Sequence, residues 1–256
     1  MILDGRALAG EVLARAKARA EKLSRRPSVV AYAFSATPAT RSYLAIKAKS
    51  AALAGCDFNV RESFPLSFDA DAVIVQLPLS ADMDTKEVRN SIPVEKDADV
   101  LSDIARTEGP LLPPVVGAVK KILEYAKTEI AGKKAVVIGN GFLVGAPVAT
   151  WLRQQNAEVV IITRESENLA TSLRDADIIV SGAGSPHLIK PEMLKQGVVL
   201  IDAGTSESGG AIVGDVDPAC AAKCSIFTPV PGGVGPLAVA CLFENVITLA
   251  ERAINQ

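Results

Sequence analysis

Lys134-Ala-Val-Val-Ile-Gly-Asn-Gly-Phe-Leu-Val-Gly145 decides the fold. Four apolar residues follow a lysine, then glycines fall as G-x-G-x-x-x-G, and an apolar helical pattern begins at Gly145. Such an order reads as a buried strand, a tight turn and the start of a helix. Gly139 permits the turn, Gly141 lets backbone approach a pyrophosphate at the helix N-terminus, and Gly145 allows close packing of helix on strand. A glycine turn alone can be purely structural. Here a second strand, Glu158–Ile162, ends at Thr163, where a residue reading the adenosine ribose is expected. Arg164 suits a 2′-phosphate and so NADP, whereas Glu165 beside it suits a free 2′-hydroxyl and so NAD. Both could equally be solvated loop charges.

Outward from this turn, strands and helices alternate. Downstream, a helix Gly145–Gln155 is followed by strand 158–162, helix Leu169–Arg174, and strands Ile178–Ser181 and Val198–Ile201. A short helix, Ala219–Ala222, precedes a strand Ser225–Thr228. Pro229–Pro236 reads as punctuation throughout, and Leu237–Ile254 as a closing helix. Upstream, helices are expected at 5–23, 42–54, 85–91 and 116–127, with strands at 29–34, 58–64 and 72–77. Strands alternating with helices imply α/β architecture with mainly parallel sheets. At 256 residues the chain has room for two small domains.

Composition narrows the function classes. An apolar fraction of 49% supports real cores, and a net charge of −2 gives nucleic acid no electrostatic footprint. Unbroken apolar runs such as 135–138 and 159–162 are strand-sized, so no membrane span is expected. Met1 leads into Ile2-Leu3-Asp4 with no signal-peptide pattern, which points to the cytoplasm. Cys56, Cys220, Cys224 and Cys241 lack metal-ligand spacing and read as buried, reduced thiols, and with the single His187 no metal site is expected.

Three features of the first half carry chemistry. Tyr43 and Lys47 stand one helical turn apart, and Val75-Gln-Leu-Pro-Leu79 ends a strand on an amide. Lys96-Asp-Ala-Asp99 sets carboxylates in a loop. Taken singly, each has an ordinary structural explanation. With Ile2-Leu-Asp-Gly5, Pro93-x-Glu-Lys-Asp-x-Asp99, Val144-Gly-x-Pro147, Ile201-Asp-x-Gly204, Val213-Gly-Asp-Val216 and Pro231-Gly-Gly-Val-Gly-Pro236, they form an ordered set. That set resembles the bifunctional methylenetetrahydrofolate dehydrogenase/cyclohydrolase family over almost the whole chain.

The resemblance implies two reactions in one cleft. Methylene-tetrahydrofolate gives a hydride to NADP or NAD, and water then opens the methenyl product to formyl-tetrahydrofolate. It implies that Lys47 is central to the second step, with Gln76 orienting it and Tyr43 lining the folate site. Asp99 would hold the pterin, and Leu77, Pro78, Gly232, Gly233, Val234 and Pro236 would line the substrate. Gly139, Asn140, Gly141, Val144, Gly145, Thr163, Arg164, Gly204 and Thr205 would bind the dinucleotide. The domains implied are 1–114 completed by 237–256, and a Rossmann-type domain 115–236 through which a homodimer forms. Departures include Asn140-Gly141 in place of Arg-Ser, Val100-Leu101-Ser102 after the Asp-x-Asp pair, Ala238 for a threonine, and a stretch between Phe64 and Ala72 too short for the usual helix. A dehydrogenase of the same fold acting on another small substrate, and a non-catalytic folate- or nucleotide-binding relative, are the alternatives.

Overall fold

The computed structural model describes residues 1–35, 37–208 and 210–254. The chain divides into two units, Ala9–Pro114 with Val239–Gln256, and Met1–Leu8 with Val115–Ala238.

The first unit takes most of helix α1 (Gly5–Ala20), which buries Ala9, Val12, Leu13, Ala16 and Ala20. Strand β1 (Ser28–Tyr32), helix α2 (Pro38–Ala54), strand β2 (Asp57–Arg61) and strand β3 (Ala72–Val75) follow. The sheet order is β2-β1-β3 and both pairings are parallel. All four residues of β3 are buried, which is why it reads as an unbroken apolar run. Helix α2 starts four residues earlier than its apolar spacing suggests. The hydroxyl of Thr37 accepts from Thr40 N at 3.1 Å, and Pro38 occupies the first turn, where a missing N–H costs nothing. Gly55 ends it at φ 78°.

The connection from β2 to β3 carries no helix. It is held instead by the fully buried Tyr32, whose hydroxyl accepts from Ser67 N at 2.6 Å. At its end Asp71 accepts from Ser28 N at 2.8 Å and from the Arg25 guanidinium. Two short helices follow, α3 (Thr85–Asn90) and α4 (Asp103–Thr107). Helix α4 lacks any apolar period; Ser102 starts it by accepting from Ala105 N at 3.2 Å.

The second unit opens with α5 (Pro114–Tyr125) and builds a parallel sheet from β4 (Lys134–Ile138), β5 (Glu158–Ile162), β6 (Ile178–Ser181), β7 (Val198–Asp202) and β10 (Cys224–Phe227). The order is β10-β7-β6-β4-β5, with α6 (Gly145–Gln154) and α7 (Leu169–Arg174) among the crossovers. A small antiparallel pair, β8 (Ser206–Ser208) and β9 (Ala211–Val213), lies where no element is expected from the sequence. Residues 1–8 belong here and not with the first unit as expected. Ile2 bridges Phe227, Leu3 N donates to Phe227 O at 2.9 Å, and Phe227 N donates to Met1 O at 3.0 Å. This backbone pairing extends the sheet beyond β10.

The last helix, α8 (Val234–Ile254), begins inside the segment read as punctuation. Pro236 sits in its first turn, where proline is tolerated. By length and composition alone this helix could cross a bilayer, and counting unbroken apolar runs misses it. Ala240, Cys241, Phe243, Val246, Ile247, Leu249 and Ala250 are nevertheless buried. Phe243 meets Phe58 with ring centroids 6.4 Å apart, and Glu251 pairs with Arg19. All four cysteines are free and buried.

Candidate functional site

Helix α2 brings Tyr43 and Lys47 to one face, with Tyr43 45% exposed and the Lys47 side chain only 12% exposed. Where β3 ends, Gln76 turns its amide toward that lysine. Lys47 Nζ donates to Gln76 Oε1 at 3.0 Å, while Gln76 Nε2 donates to Leu77 O at 2.8 Å. The second bond fixes which end of the amide faces the amine. Asp99 Oδ2 lies 3.7 Å from Lys47 Nζ. Lys47, Gln76 and Asp99 are thus one cluster, and Tyr43 stands a turn away on the same helix.

The loop that delivers Asp99 is built by residues that do no chemistry themselves. Asp97 is buried and accepts from Leu101 N at 3.0 Å and Ser102 N at 2.8 Å. Burial raises its pKa, opposed by those N–H donors. Val100 adopts φ 54°, and its carbonyl accepts from Arg106 Nε at 3.0 Å. Burial, with nearby Arg89, lowers the Arg106 guanidinium to about 10. Asn245 of α8 donates to Ala98 O at 2.9 Å and Leu112 O at 3.0 Å. Lys96, beside these carboxylates in sequence, turns away to Ala70 O at 2.6 Å. The two aspartates of the motif therefore have different tasks: Asp97 shapes the loop and Asp99 faces the amine. Asn245 was invisible to sequence reasoning, since nothing in an amphipathic helix singles it out.

In the second unit, Gly139 has φ 89°, and a Cβ there would lie 2.7 Å from Gly182 O. A Cβ on Gly145 would collide with the Gly139 carbonyl. Gly141 faces open space, with nothing within 4 Å of a built Cβ. Helix α6 begins from Val144 with no side-chain cap; Ala146 N donates to Gly141 O at 3.1 Å, Pro147 has no N–H, and Val148 N donates to Val144 O at 3.1 Å, which leaves the Gly145 N–H to face an anion at the turn. Turn and helix end fit a dinucleotide pyrophosphate. Asn140 is exposed, as are Thr163, Arg164 and Glu165. Thr163 N donates to Ser166 Oγ at 3.0 Å, which shapes the turn after β5. Arg164 makes no hydrogen bond or ion pair among the described residues.

The other expected site residues differ in their surroundings. Gly204 is buried because a Cβ would strike the Asp215 carboxylate, while Thr205 is exposed. Gly232 adopts φ 109°, and Gly233 lies so close to Pro229 that a Cβ would stand 2.6 Å from its carbonyl oxygen. Gly5 packs on the Gly233 carbonyl, and Val234 is buried. Leu77 is half-buried, Pro78 exposed and Pro236 half-buried. Among the described residues, no three His, Cys, Asp or Glu side chains are grouped to hold a metal ion.

Residues 113–254 match the model of the tetrahydrofolate dehydrogenase/cyclohydrolase NAD(P)-binding domain. A bifunctional protein FolD from Nitrosospira multiformis is 37% identical, the match covering 98% of this chain and 96% of that protein. The N5,N10-methylenetetrahydrofolate dehydrogenase-cyclohydrolase of Trypanosoma brucei, solved with NADP and an inhibitor, superposes with a TM-score of 0.92 at 30% identity, over 100% of this chain and 99% of that one. The Campylobacter jejuni bifunctional enzyme gives 0.90 at 30% identity, covering 99% of both chains.

Proposed function

The chain belongs to the tetrahydrofolate dehydrogenase/cyclohydrolase family, and from that premise we propose that Lys47, Gln76 and Asp99 form the catalytic cluster of an enzyme of one-carbon metabolism. It oxidises 5,10-methylenetetrahydrofolate to the 5,10-methenyl form and hydrolyses that product to 10-formyltetrahydrofolate. The observation that carries the assignment of residues is Lys47 Nζ held between Gln76 Oε1 and Asp99 Oδ2.

NADP, with NAD as its alternative, supplies the hydride acceptor when bound. The Gly139–Gly145 turn, with the Gly145 N–H at the start of α6, would hold its pyrophosphate. Arg164, exposed after β5, would meet a 2′-phosphate.

In the hydrolytic step the methenyl carbon is electrophilic and water is a poor nucleophile. Lys47 in its amine form takes a proton at Nζ from the water whose oxygen adds to the methenyl carbon, then gives it to the ring nitrogen as the C–N bond breaks, while the remaining hydroxyl proton leaves to solvent as the formyl C=O forms. Gln76 Oε1 orients the Nζ that performs both transfers. Asp99 presents Oδ2 to Lys47, leaving Oδ1 to accept from a pterin N–H, so one carboxylate places both amine and substrate. Tyr43 offers an exposed aromatic face on the same side of α2. Leu77 and Pro78 follow Gln76 directly and would line the substrate with it.

The units correspond to a folate-binding domain and a cofactor-binding domain, with residues 1–8 serving the second. A homodimer formed through the second unit is supported by the edge position of β5, where Val160 is half exposed. Four buried free thiols suit a reducing, cytoplasmic setting.

Purified protein given methylenetetrahydrofolate with NADP or NAD should produce reduced cofactor and the methenyl absorbance. No signal with either cofactor, at high enzyme concentration, would refute the dehydrogenase assignment. Lys47→Ala should abolish hydrolysis of added methenyltetrahydrofolate while NADP still binds. Unchanged hydrolysis would remove Lys47 from its role.

A further inference from the structure

Two carboxylates lie deep in the second unit and take no part in the chemistry above. Asp202, at the end of β7, is 2% exposed, and Asp215 is 0% exposed. Asp202 Oδ1 accepts from Gly204 N at 2.9 Å and Asp215 N at 3.2 Å, and Oδ2 accepts from Val216 N at 3.0 Å. Asp215 Oδ2 accepts from Ser181 Oγ and Ala183 N, both at 2.7 Å, and Oδ1 accepts from Ser185 N at 2.7 Å. No lysine or arginine pairs with either aspartate among the described residues.

The surrounding glycines show that the pair is built reciprocally. A Cβ on Gly204 would collide with the Asp215 carboxylate, and a Cβ on Gly214 with that of Asp202. Each motif, Ile201-Asp-Ala-Gly204 and Val213-Gly-Asp-Val216, therefore supplies an aspartate and makes room for the other's. Burial, with the neighbouring Asp215 charge, pushes Asp202 up to about 6 against the pull of its N–H donors. Two carboxylates are thus buried side by side in a place where apolar side chains would cost far less to bury. Retention of such an arrangement calls for a task.

The task follows from what Asp215 holds. Its three donors belong to Ser181, Ala183 and Ser185, the end of β6 and the loop after it. The sheet order reverses direction between β4 and β6, and ligands of such sheets bind at the carboxyl ends of the strands flanking that point. The loop packs directly on the glycine turn of β4: a Cβ on Gly139 would meet Gly182 O at 2.7 Å and Ala183 Cα at 3.2 Å, and a Cβ on Gly182 would meet Val144 Cγ1 at 2.5 Å.

We propose that Asp215 is a positioning residue for the dinucleotide: with Asp202 behind it, it fixes loop 182–185 as the wall opposite the Gly139–Gly145 turn. This rests on the cofactor assignment made above. Asp215→Asn replaces one acceptor oxygen with an NH₂ that faces an N–H or hydroxyl donor, so the loop must shift.

NADPH binding, followed by nucleotide fluorescence, should weaken at least tenfold in Asp215→Asn. Hydrolysis of added methenyltetrahydrofolate, measured without nucleotide, should stay within twofold of wild type. An Asp215→Asn protein with that hydrolysis intact and wild-type NADPH affinity would overturn the proposal. If Asp215→Asn does not fold, Ser181→Ala decides: removing one of the three donors should weaken NADPH at least threefold, and unchanged affinity overturns the proposal. Wild-type protein that binds no dinucleotide at all would instead refute the cofactor assignment itself.

Discussion

Gln76→Leu removes the acceptor of Lys47 Nζ while keeping a side chain of similar size at a buried position. The bond lost is 3.0 Å long, and the lysine side chain is 12% exposed, so water replaces the partner poorly. Leaving a buried N–H donor without its acceptor costs about 1–3 kcal/mol. If all of it is expressed in the step where Nζ must point at the reacting water, the rate falls roughly 5- to 150-fold, at about 1.4 kcal/mol per decade. Asp99 at 3.7 Å retains part of the orientation, which places the expected loss toward the lower half of that range. The assay is decay of methenyltetrahydrofolate absorbance without nucleotide, corrected for the spontaneous reaction. Gln76→Glu keeps an acceptor at the same reach and should lose less. A folded Gln76→Leu enzyme within twofold of wild type would show that the amide does not orient the lysine.

Arg164→Ala should raise KM for NADP by about five- to tenfold, the worth of one exposed charge-assisted hydrogen bond, and leave KM for NAD unchanged. An unaltered NADP-to-NAD ratio would mean that Arg164 does not read the 2′-phosphate. Asp71→Asn should destabilise the first unit by about 2–4 kcal/mol at neutral pH, because Ser28 and Arg25 lose a buried anionic acceptor. Burial pushes Asp71 upward, but Arg25 and the Ser28 donors outweigh it and hold its pKa below the usual carboxylate range. Its stabilisation is therefore complete above the unfolded pKa and disappears as pH falls through the folded one. Urea melts of wild type and variant should converge in acid and diverge at neutral pH; a gap that persists in acid would contradict this account.

Local backbone chemistry was legible in the sequence, and long-range geometry was not. The turn at Gly139–Gly145 could be read because a strand, two conformationally demanding glycines and a helix start adjoin one another. Lys47, Gln76 and Asp99 came from motif order, since helix α2, the end of β3 and the 97–102 loop bear no sequence signal of meeting. The separate tasks of Asp97 and Asp99 could not be told apart, as both are aspartates two residues apart in a polar loop. Asn245 reaches Ala98 across 147 residues of sequence. The sequence reading puts the start of α8 three residues late because Pro229–Pro236 reads as punctuation throughout, although proline in a first helical turn is favourable. Gly204 is expected at the cofactor, and its small size is also demanded by Asp215, a partner eleven positions on that only the fold brings near.

The division of the first unit into Ala9–Pro114 and Val239–Gln256 sets a timetable for the nascent chain. All of the second unit except residues 1–8 is synthesised between these two pieces. Until α8 emerges from the ribosome, Phe58 lacks Phe243, Arg19 lacks Glu251, and the 97–99 loop lacks the Asn245 amide. A ribosome stalled after residue 238 would thus carry a cofactor-binding unit with all its strands made, while the lysine cluster, encoded far upstream, still waited for its scaffold. The lysine cluster is translated early and matures late.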